Sequence, residues 1–529
     1  MKKAFKVLFI GIICLLLLAG LTSIFISYFY SDTLQQELVS EFETQTDHQY
    51  SISISDIDLG FLTRTVTIDS MRVEPNVNSK LRSISAASVS INGIRWLSWW
   101  SQPVPDFSQI EVISPQVEIV VPQDYSFQAN QLSNNSSQTA ALDSLDNFNF
   151  TLKNGRGILI EEGSERELLS IDDISLEATE VNLQQLLSQS KILFLDGLSV
   201  KGSGIKWPLY DTFYEMNIGD FSFDKAAQSA QISNLNFTPT LPKYKFSQEH
   251  GHQLDRIQLE IPEIELLGFD LDSLINNRFD VDTLQLKNAW MEVFRNKQIP
   301  RPEEESVKPL FYELASATDF SLGIETILVS NSDIIYEEHK PPSDSTGSIS
   351  FNELSATLTD FKTMQHPKFN EAVFRWDVET LFMNSSPLSV QVEYPLYDMT
   401  NTHTVKAQLE SIDPKEVSGM LRNVGFIELK DGFVEGMETE MTLNSDSATG
   451  EVLIEYRDLK VKFLNDENPE KNGLKQRVKT FVANTFAIKS NNTGEDAETG
   501  QIDFEREKNK SIFAYWWKSL LSGMKDVIR

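Results

Sequence analysis

Cysteine is almost absent from this chain. Of 529 residues only Cys14 carries a thiol, and it lies inside an apolar run. Everything after it lacks disulfides, zinc thiolates and a cysteine nucleophile, so stability must come from hydrogen-bonded sheet and buried apolar area. Histidine is scarce as well, at six residues, and His48, His339, His366 and His403 have no obvious partners in the sequence. The one local metal-like cluster is "EHGH", Glu249–His252. Two imidazoles two residues apart can share a strand face, but zinc needs a third ligand, and this stretch reads as a polar loop. No G-x-S-x-G, phosphate loop or dinucleotide fingerprint is present. The chain is therefore read as non-enzymatic, with no catalytic residue, no metal ligand and no cofactor. Positive charge is also short: 46 Lys and Arg face 77 Asp and Glu, a formal net charge of −31. Such a balance repels phosphate backbones and excludes nucleic acid as a partner.

What is present is apolar material and a regular pattern. Apolar residues make up 40% of the chain, and 33 Phe against 13 Tyr favour dry burial. Val7 to Tyr30 contains no charge. As a helix it extends about 36 Å, enough to span a bilayer with some tilt. Lys2, Lys3 and Lys6 precede it and Asp32 and Glu37 follow, so the positive-inside rule leaves residues 1–6 in the cytoplasm and exports the rest. A cleaved signal peptide is the alternative. The run exceeds a normal h-region and no A-x-A site follows, which favours a retained signal-anchor at 7–30.

Residues 31–49 read as a juxtamembrane helix, with Leu34, Leu38 and Phe42 at four-residue spacing. From Tyr50 the apolar period becomes two and stays near two to about residue 465, the pattern of strands with one wet and one apolar face. "SISISDIDLGF" alternates Ile52, Ile54, then Ile57, Leu59, Phe61; "TVTIDSMRV" gives Val66, Ile68, then Met71, Val73. In "IQLEIPEIELLGFDL", Ile257, Leu259 and Ile261 share a face, Pro262 intervenes, and Ile264 and Leu266 resume one residue later; a second slip falls near Leu267. Slips of this type predict β-bulges that bend and twist the strands. "PQVEIVV" places Val117, Ile119 and Val121 on one face, and "GEVLIEY" does so for Val452, Ile454 and Tyr456. Acidic pairs such as Asp56/Asp58, Asp270/Asp272 and Asp280/Asp282 fall on the opposite, wet face.

The order strand, short apolar excursion, strand occurs twice, around Ala87–Val121 and Arg256–Phe294, and "ETILVSNSDIIYEE" echoes its last part. Units that recur without a fixed period suggest stacked strand pairs that add length. At roughly 13 residues per strand and turn, the β-patterned region would supply about 30 strands, about 150 Å of continuous sheet at about 4.8 Å each. The cluster Trp96, Trp99, Trp100 is either a packed corner or an interfacial anchor.

Residues 466–510 read as a helix (Leu474, Val478, Phe481 and Val482 on one face), a short strand and an acidic loop. The tail, 511–529, is an amphipathic helix. Ile512, Phe513, Trp516, Trp517, Leu520, Leu521, Met524, Val527 and Ile528 form its apolar face, and Lys518, Ser519, Ser522, Lys525 and Asp526 lie largely opposite. Counted with the two lysines that precede it, Lys508, Lys510, Lys518, Lys525 and Arg529 against Asp526 give +4 locally. That suits a membrane interface. It equally suits a cap on the end of a β-structure, and one helix can do both.

This layout resembles the AsmA-like family of bacterial envelope proteins, including its domain-of-unknown-function branch. The resemblance rests on the anchor, "SISISDIDLGFLTRTVTIDSMRV", "LRSISAASVSINGIRWLS" and the late segment Gly432–Leu464, "GFVEGMETEMTLNSDSATGEVLIEYRDLKVKFL". It implies a protein similar to bridge-like lipid transfer proteins, held in the inner membrane and passing phospholipid through the periplasm toward the outer membrane. No catalytic residue is carried over. The expected fold is mainly β: an elongated, curled antiparallel β-groove over 50–465, with one N-terminal transmembrane helix and C-terminal amphipathic helices. The groove candidates are Val117, Ile119, Val121, Ile257, Leu259, Ile261, Ile264, Leu266, Val452, Ile454 and Tyr456. The expected partners are phospholipid, the inner membrane through the N-terminal helix, and the outer membrane or an envelope protein through the tail. The competing expectations are an envelope scaffold of β-sandwiches that assists outer-membrane protein assembly, and an exported hydrolase if "EHGH" binds metal.

Overall fold

The computed structural model describes residues 31–60, 63–77, 79–96, 98, 106–122, 147–181, 197–269, 273, 277–303, 306–464 and 489–528. The expected anchor at 7–30, Trp99, Trp100, Asp270, Asp272, the helical face from Leu474 to Val482 and the start of the strand that follows it lie outside the described residues. No helix among the described residues is long and apolar enough to cross a membrane. The chain forms two compact units, 1–234 and 235–529.

In the first unit helix α1 (Ser31–Gln45) precedes strands β1 (Tyr50–Gly60), β2 (Thr65–Pro75), β3 (Leu81–Asn92), β4 (Gln109–Ile113), β5 (Gln116–Val121), β6 (Phe148–Glu161), β7 (Glu167–Val181), β8 (Ser199–Leu209) and β9 (Tyr214–Asp224). Strand β10 (Ser229–Pro239) contains the division. The strands pair antiparallel in chain order, with one exception: β4 and β5 both pair antiparallel with β3, and both pair parallel with β6. Leu38 and Phe42 of α1 are buried in the core formed by the first strands, and Trp96 packs against it, as a corner residue would.

The second unit contains helix α2 (Lys243–His250), β11 (Asp255–Phe269), β12 (Arg278–Lys287), β13 (Trp290–Asn296), helix α3 (Phe311–Ser316), β14 (Ser321–His339), β15 (Gly347–Lys362), β16 (Val373–Phe382), β17 (Ser386–Pro395), β18 (His403–Leu409), β19 (Ile427–Leu443), β20 (Ser447–Phe463), β21 (Thr499–Glu505) and helix α4 (Ile512–Ile528). Here β12 and β13 both pair antiparallel with β11 and parallel with β14. From β14 to β21 every pairing is antiparallel. The sheet is thus mixed, a correction to the antiparallel expectation. The parallel pairs arise in both units at the two segments whose residue order repeats.

The slips in apolar period have a common structural basis. On β1, Ser55 and Asp56 are both exposed while Ile54 and Ile57 on either side are buried; β2 repeats this with Asp69 and Ser70 between Ile68 and Met71. Strict pleating would send one of each flanking apolar pair to water. The interruptions instead lie side by side. Register places Ser55 opposite Ser70, Ser70 opposite Ala87, Ala87 opposite Ser114 and Ser114 opposite Asn154. Ser70, Ser114 and Asn154 adopt left-handed backbone, with φ of 49, 49 and 54°. In the second unit Pro262 faces Asn288 (φ 57°), which faces Asn331 (φ 47°), and Asn331 Nδ2 donates to Asn288 Oδ1 at 2.7 Å.

Because neighbouring strands slip together, register is continuous across Pro262, where a conventional bulge would shift it. The effect is a transverse crease that keeps apolar side chains on one face along each strand. It also explains why the described residues carry 21 strands where about 30 were expected: strands run through the interruption instead of ending there. The second slip is real as well, and Gly268 supplies it at φ +64°, where a Cβ would fall 2.1 Å from the Asp282 carboxylate.

A left-handed residue with a branched Cβ is costly, whereas Gly adopts the conformation freely. Asn288→Val should therefore unfold at lower denaturant than Asn288→Gly by about 1–2 kcal/mol. Both variants lose the Asn331 contact, so equal midpoints would refute the crease as a conformational requirement.

Candidate functional site

The apolar faces divide into covered and open stretches. In the second unit Val452, Ile454 and Tyr456 of β20 are buried, Tyr456 at 0% exposure, beneath α4 and the segments around it. Three of the eleven groove candidates are thus occluded. The other candidates of this unit lie on β11, where Ile257, Leu259 and Leu266 are half-buried and Ile261 and Ile264 nearly buried. Register extends their face sideways. Ile257 opposes Val293 and Leu259 opposes Met291; these lie beside Tyr336 and Ile334, which oppose Ile349 and Phe351 on β15. All of these are half-buried. Past the crease, Ile264 and Leu266 meet Leu286 and Leu284, and these meet Val329 and Ile327.

The reverse face of the same strands is charged around a buried Phe294, against which Tyr244 packs edge-on at 5.2 Å. There α2 packs, with Lys243 Nζ 2.9 Å from Glu292 and also paired to Glu337, and Tyr244 Oη 2.8 Å from His339 Nδ1. The helix thus covers the charged side and leaves the apolar side open. In the first unit Val117 and Ile119 are half-buried and Val121 is buried. Ile119 pairs with Leu159, which pairs with Leu169; Ile171 pairs with Ile205 and Ile205 with Ile218, all half-buried. Trp207, on the same side of β8 as Ile205, is 38% exposed. Val117 also packs against the first unit's core.

The tail is a helix and it caps. Ile512, Trp516, Leu520 and Val527 are buried on β20 and β21, as three residues outside the expected face also are: Tyr515, Ser519 and Gly523. Gly523 is required, since a Cβ there would fall 2.7 Å from both Ile502 and Val452 side chains. The small side chains at Ser519 and Gly523 let the helix sit low on the sheet. This small-residue signal was present in the sequence and was masked there by counting Ser519 as polar. Phe513 and Trp517 face outward, at 62% and 54% exposure, beside half-buried Leu521 and Met524. Lys518 pairs with Glu507 at 2.6 Å, and Lys525 is exposed.

A buried polar pin fixes this helix. Trp516 Nε1–H donates to His403 Nε2 at 2.9 Å, and His403 Nδ1–H donates to the Asn401 carbonyl at 2.7 Å. The ring stacks on Tyr394 at 4.4 Å, and Tyr394 Oη–H donates to Asn401 Oδ1 at 2.6 Å. Both imidazole nitrogens are committed in the neutral form. Burial, with a smaller contribution from the Arg506 charge, pushes the His403 pKa down to about 4 against the opposing Asn401 carbonyl contact.

The histidines of "EHGH" do not converge on a metal geometry. His250 Nδ1 lies 2.8 Å from the Phe246 carbonyl, and the His250 and His252 ring centres are 6.3 Å apart. Among the described residues no group of three or more His, Cys, Asp or Glu is arranged to hold a metal ion.

Fold and site define a class in physical terms: a mainly-β protein in which a mixed sheet bears a half-exposed apolar face, with a helical cap in its second unit. No known protein family matches the sequence, and no curated protein matches it either.

The pin makes stability depend on acidity. The unfolded imidazole binds a proton near pH 6.5 and the folded one only near 4, so its contribution is complete above 6.5 and is lost as pH falls toward 4. The full loss is on the order of 3 kcal/mol. Thermal melts of the chain should show midpoints falling between pH 6.5 and 4. His403→Gln keeps an acceptor for Trp516 without titrating and should flatten that slope. Removing Ser511–Arg529 should lower the midpoint at every pH by uncovering Val452 and Tyr456. Phe513→Ser with Trp517→Ser should leave it within about 0.5 kcal/mol of the parent. A deletion as stable as the parent would rule out the cap.

Proposed function

We propose that the chain is an inner-membrane-anchored periplasmic protein that binds or shuttles phospholipid along its apolar sheet faces, contributing to outer-membrane lipid homeostasis. The observation that carries this reading is the half-exposed apolar face of β11 to β15, set opposite the face on which α2 is held by Glu292 and Glu337. Natural proteins rarely leave such a continuous apolar surface to water without an occupant. Each acyl methylene laid against it leaves water with a gain of about 0.8 kcal/mol. No catalytic group is needed, because the face lowers the cost of exposing a chain that has left a bilayer.

The lengths are compatible. From Ile257 to Leu266 the apolar face covers nine residue steps, about 30 Å at about 3.3 Å each. One leaflet's hydrocarbon is about 15 Å thick, half of a core of about 30 Å. An acyl chain therefore fits along a single strand of this unit. Among the described residues the strands of each unit add edge to edge as parts of one sheet, which supports a groove over separate sandwiches. The anchor at 7–30 supplies the membrane attachment in this reading, and the outward Phe513 and Trp517 beside Lys518 and Lys525 supply the chemistry of a second interfacial contact.

Photocrosslinkers placed singly at Ile257, Gln258, Leu259 and Glu260 in cells provide the test. Lipid adducts are expected at Ile257 and Leu259 and not at their two neighbours. Adducts at none of the four, with protein adducts in their place, would overturn the lipid reading in favour of a scaffold.

A further inference from the structure

The open apolar face of the second unit does not run out into solvent at its β13–β14 end. It stops at a compact set of charges on the same side of the sheet. Asp255, Arg295 and Glu338 continue the rows that hold Ile257, Val293 and Tyr336. Arg295 Nη2 donates to Asp255 Oδ2 at 2.7 Å, and its Nε lies 2.7 Å from Oδ1 as an ion pair; Lys297 Nζ lies 2.6 Å from Glu338 Oε2, which also accepts from Tyr336 Oη at 2.8 Å. Burial and the neighbouring Glu338 carboxylate raise the Tyr336 pKa, so the phenol stays a donor.

Two features set this cluster apart from an ordinary surface ion pair. Glu338 is only 4% exposed, yet its Oε1 has no hydrogen-bond partner among the described residues. A buried carboxylate oxygen without a donor is costly, and such a group marks a place where a donor is missing. The first unit shows what the completed arrangement looks like. Glu161 stands seven residues beyond left-handed Asn154, as Glu338 stands seven beyond Asn331. Glu161 is also buried, but Arg166 reaches both its oxygens, Nε to Oε2 at 2.9 Å and Nη2 to Oε1 at 3.0 Å. The second unit has the carboxylate without the second donor.

The site has a closed side and an open one. Glu338 opposes Gly347, where a Cβ would fall 2.9 Å from Met420 Cα and 2.9 Å from Val424, so the helical turn 418–425 roofs the β15 side. On the β11 side the Arg295, Lys297 and Asp255 side chains keep 30%, 32% and 38% of their surface. A small polar group can enter there while its apolar remainder lies along Ile257 and Leu259.

We propose that this charged end is the headgroup subsite for a lipid bearing both a phosphate and a primary ammonium. The guanidinium and the lysine match a phosphate, and the two carboxylates match an ammonium, whose N–H supplies the donor Glu338 lacks. With two cations and two anions the site is neutral and complements a zwitterion charge for charge. A purely anionic headgroup would meet Asp255 and Glu338 with like charge. This rests on the lipid reading and deepens it.

The test is native mass spectrometry of the full chain after equilibration with vesicles holding equimolar phosphatidylethanolamine and phosphatidylglycerol. The parent should carry the ethanolamine lipid in about tenfold excess, the effect of one charge-assisted hydrogen bond. Glu338→Gln should bring the ratio near one, whereas Lys297→Gln, which leaves both carboxylates in place, should keep the ethanolamine lipid in excess; retained total lipid in each shows that the variant is folded. Equal loading of the parent would overturn the headgroup assignment and leave the lipid-binding reading standing. No loading of either lipid would overturn both. Water-soluble phosphoethanolamine in excess should leave bound lipid in place. If it displaces the lipid, the site serves a soluble amine phosphate and the lipid assignment fails.

Discussion

The constraint on which the structure depends is that one face of each long strand must stay apolar while the strand passes an interruption in its pleat. Side chains alternate with strict period two, so a single extra residue would turn half of every strand inside out. The chain meets this by placing the interruption at the same level in adjacent strands and by spending left-handed backbone there: Ser70, Ser114 and Asn154 in one unit, Asn288 and Asn331 in the other. Hydrogen-bonded register then continues through the crease from β1 to β3 and from β11 to β14, shifting only where the crease meets β7 and β15, and the apolar residues on both sides remain together. The core of the first unit shows the consequence directly, since Ile54 and Ile57, or Ile68 and Met71, are buried in one cluster.

That constraint links the fold to the proposed site. The face that carries Ile261 and Ile264 is continuous only because Pro262 and Glu263 are both exposed between them. In stretches where a helix is available, this face is closed: α1 closes the first strands and α4 closes β20 and β21. Where α2 is available it binds the other, polar side, drawn by Glu292 and Glu337 to Lys243. The apolar side of β11 to β14 is thereby left half-exposed, and at β15 it meets the helical turn 418–425.

Much of this was legible in the sequence. The slips after Ile54, Ile68 and Ile261 could be read as breaks in apolar period, and the repeated order around Ala87 and Arg256 corresponds to the two places where a split strand pairs antiparallel on one side and parallel on the other. The parallel pairings themselves were not legible, because alternation reports which face is wet and not which way a neighbour runs. Nor was it legible that Val452, Ile454 and Tyr456 lie under α4, since a covered and an open apolar face have the same period. Ser519 and Gly523 were misread for a related reason: hydrophobicity alone does not identify the residues that permit close approach. The His403–Trp516 contact joins residues 113 positions apart and leaves no local trace.

The two units also show how one repeated plan can be used in two ways. In the first, the buried glutamate at the end of β6 has both oxygens taken by a hairpin arginine five residues on, a contact that needs nothing from outside. In the second, the corresponding hairpin continues through Pro341 and Pro342 to Gly347, and no arginine stands five residues after Glu338. The partner of Glu338 comes instead from the neighbouring strand as Lys297, which reaches only one oxygen. Replacing a rigid, bidentate guanidinium by a point-charge ammonium leaves hydrogen-bonding capacity unspent. At the blind end of an apolar face, that unspent capacity is what separates a structural carboxylate from one able to recognise a ligand.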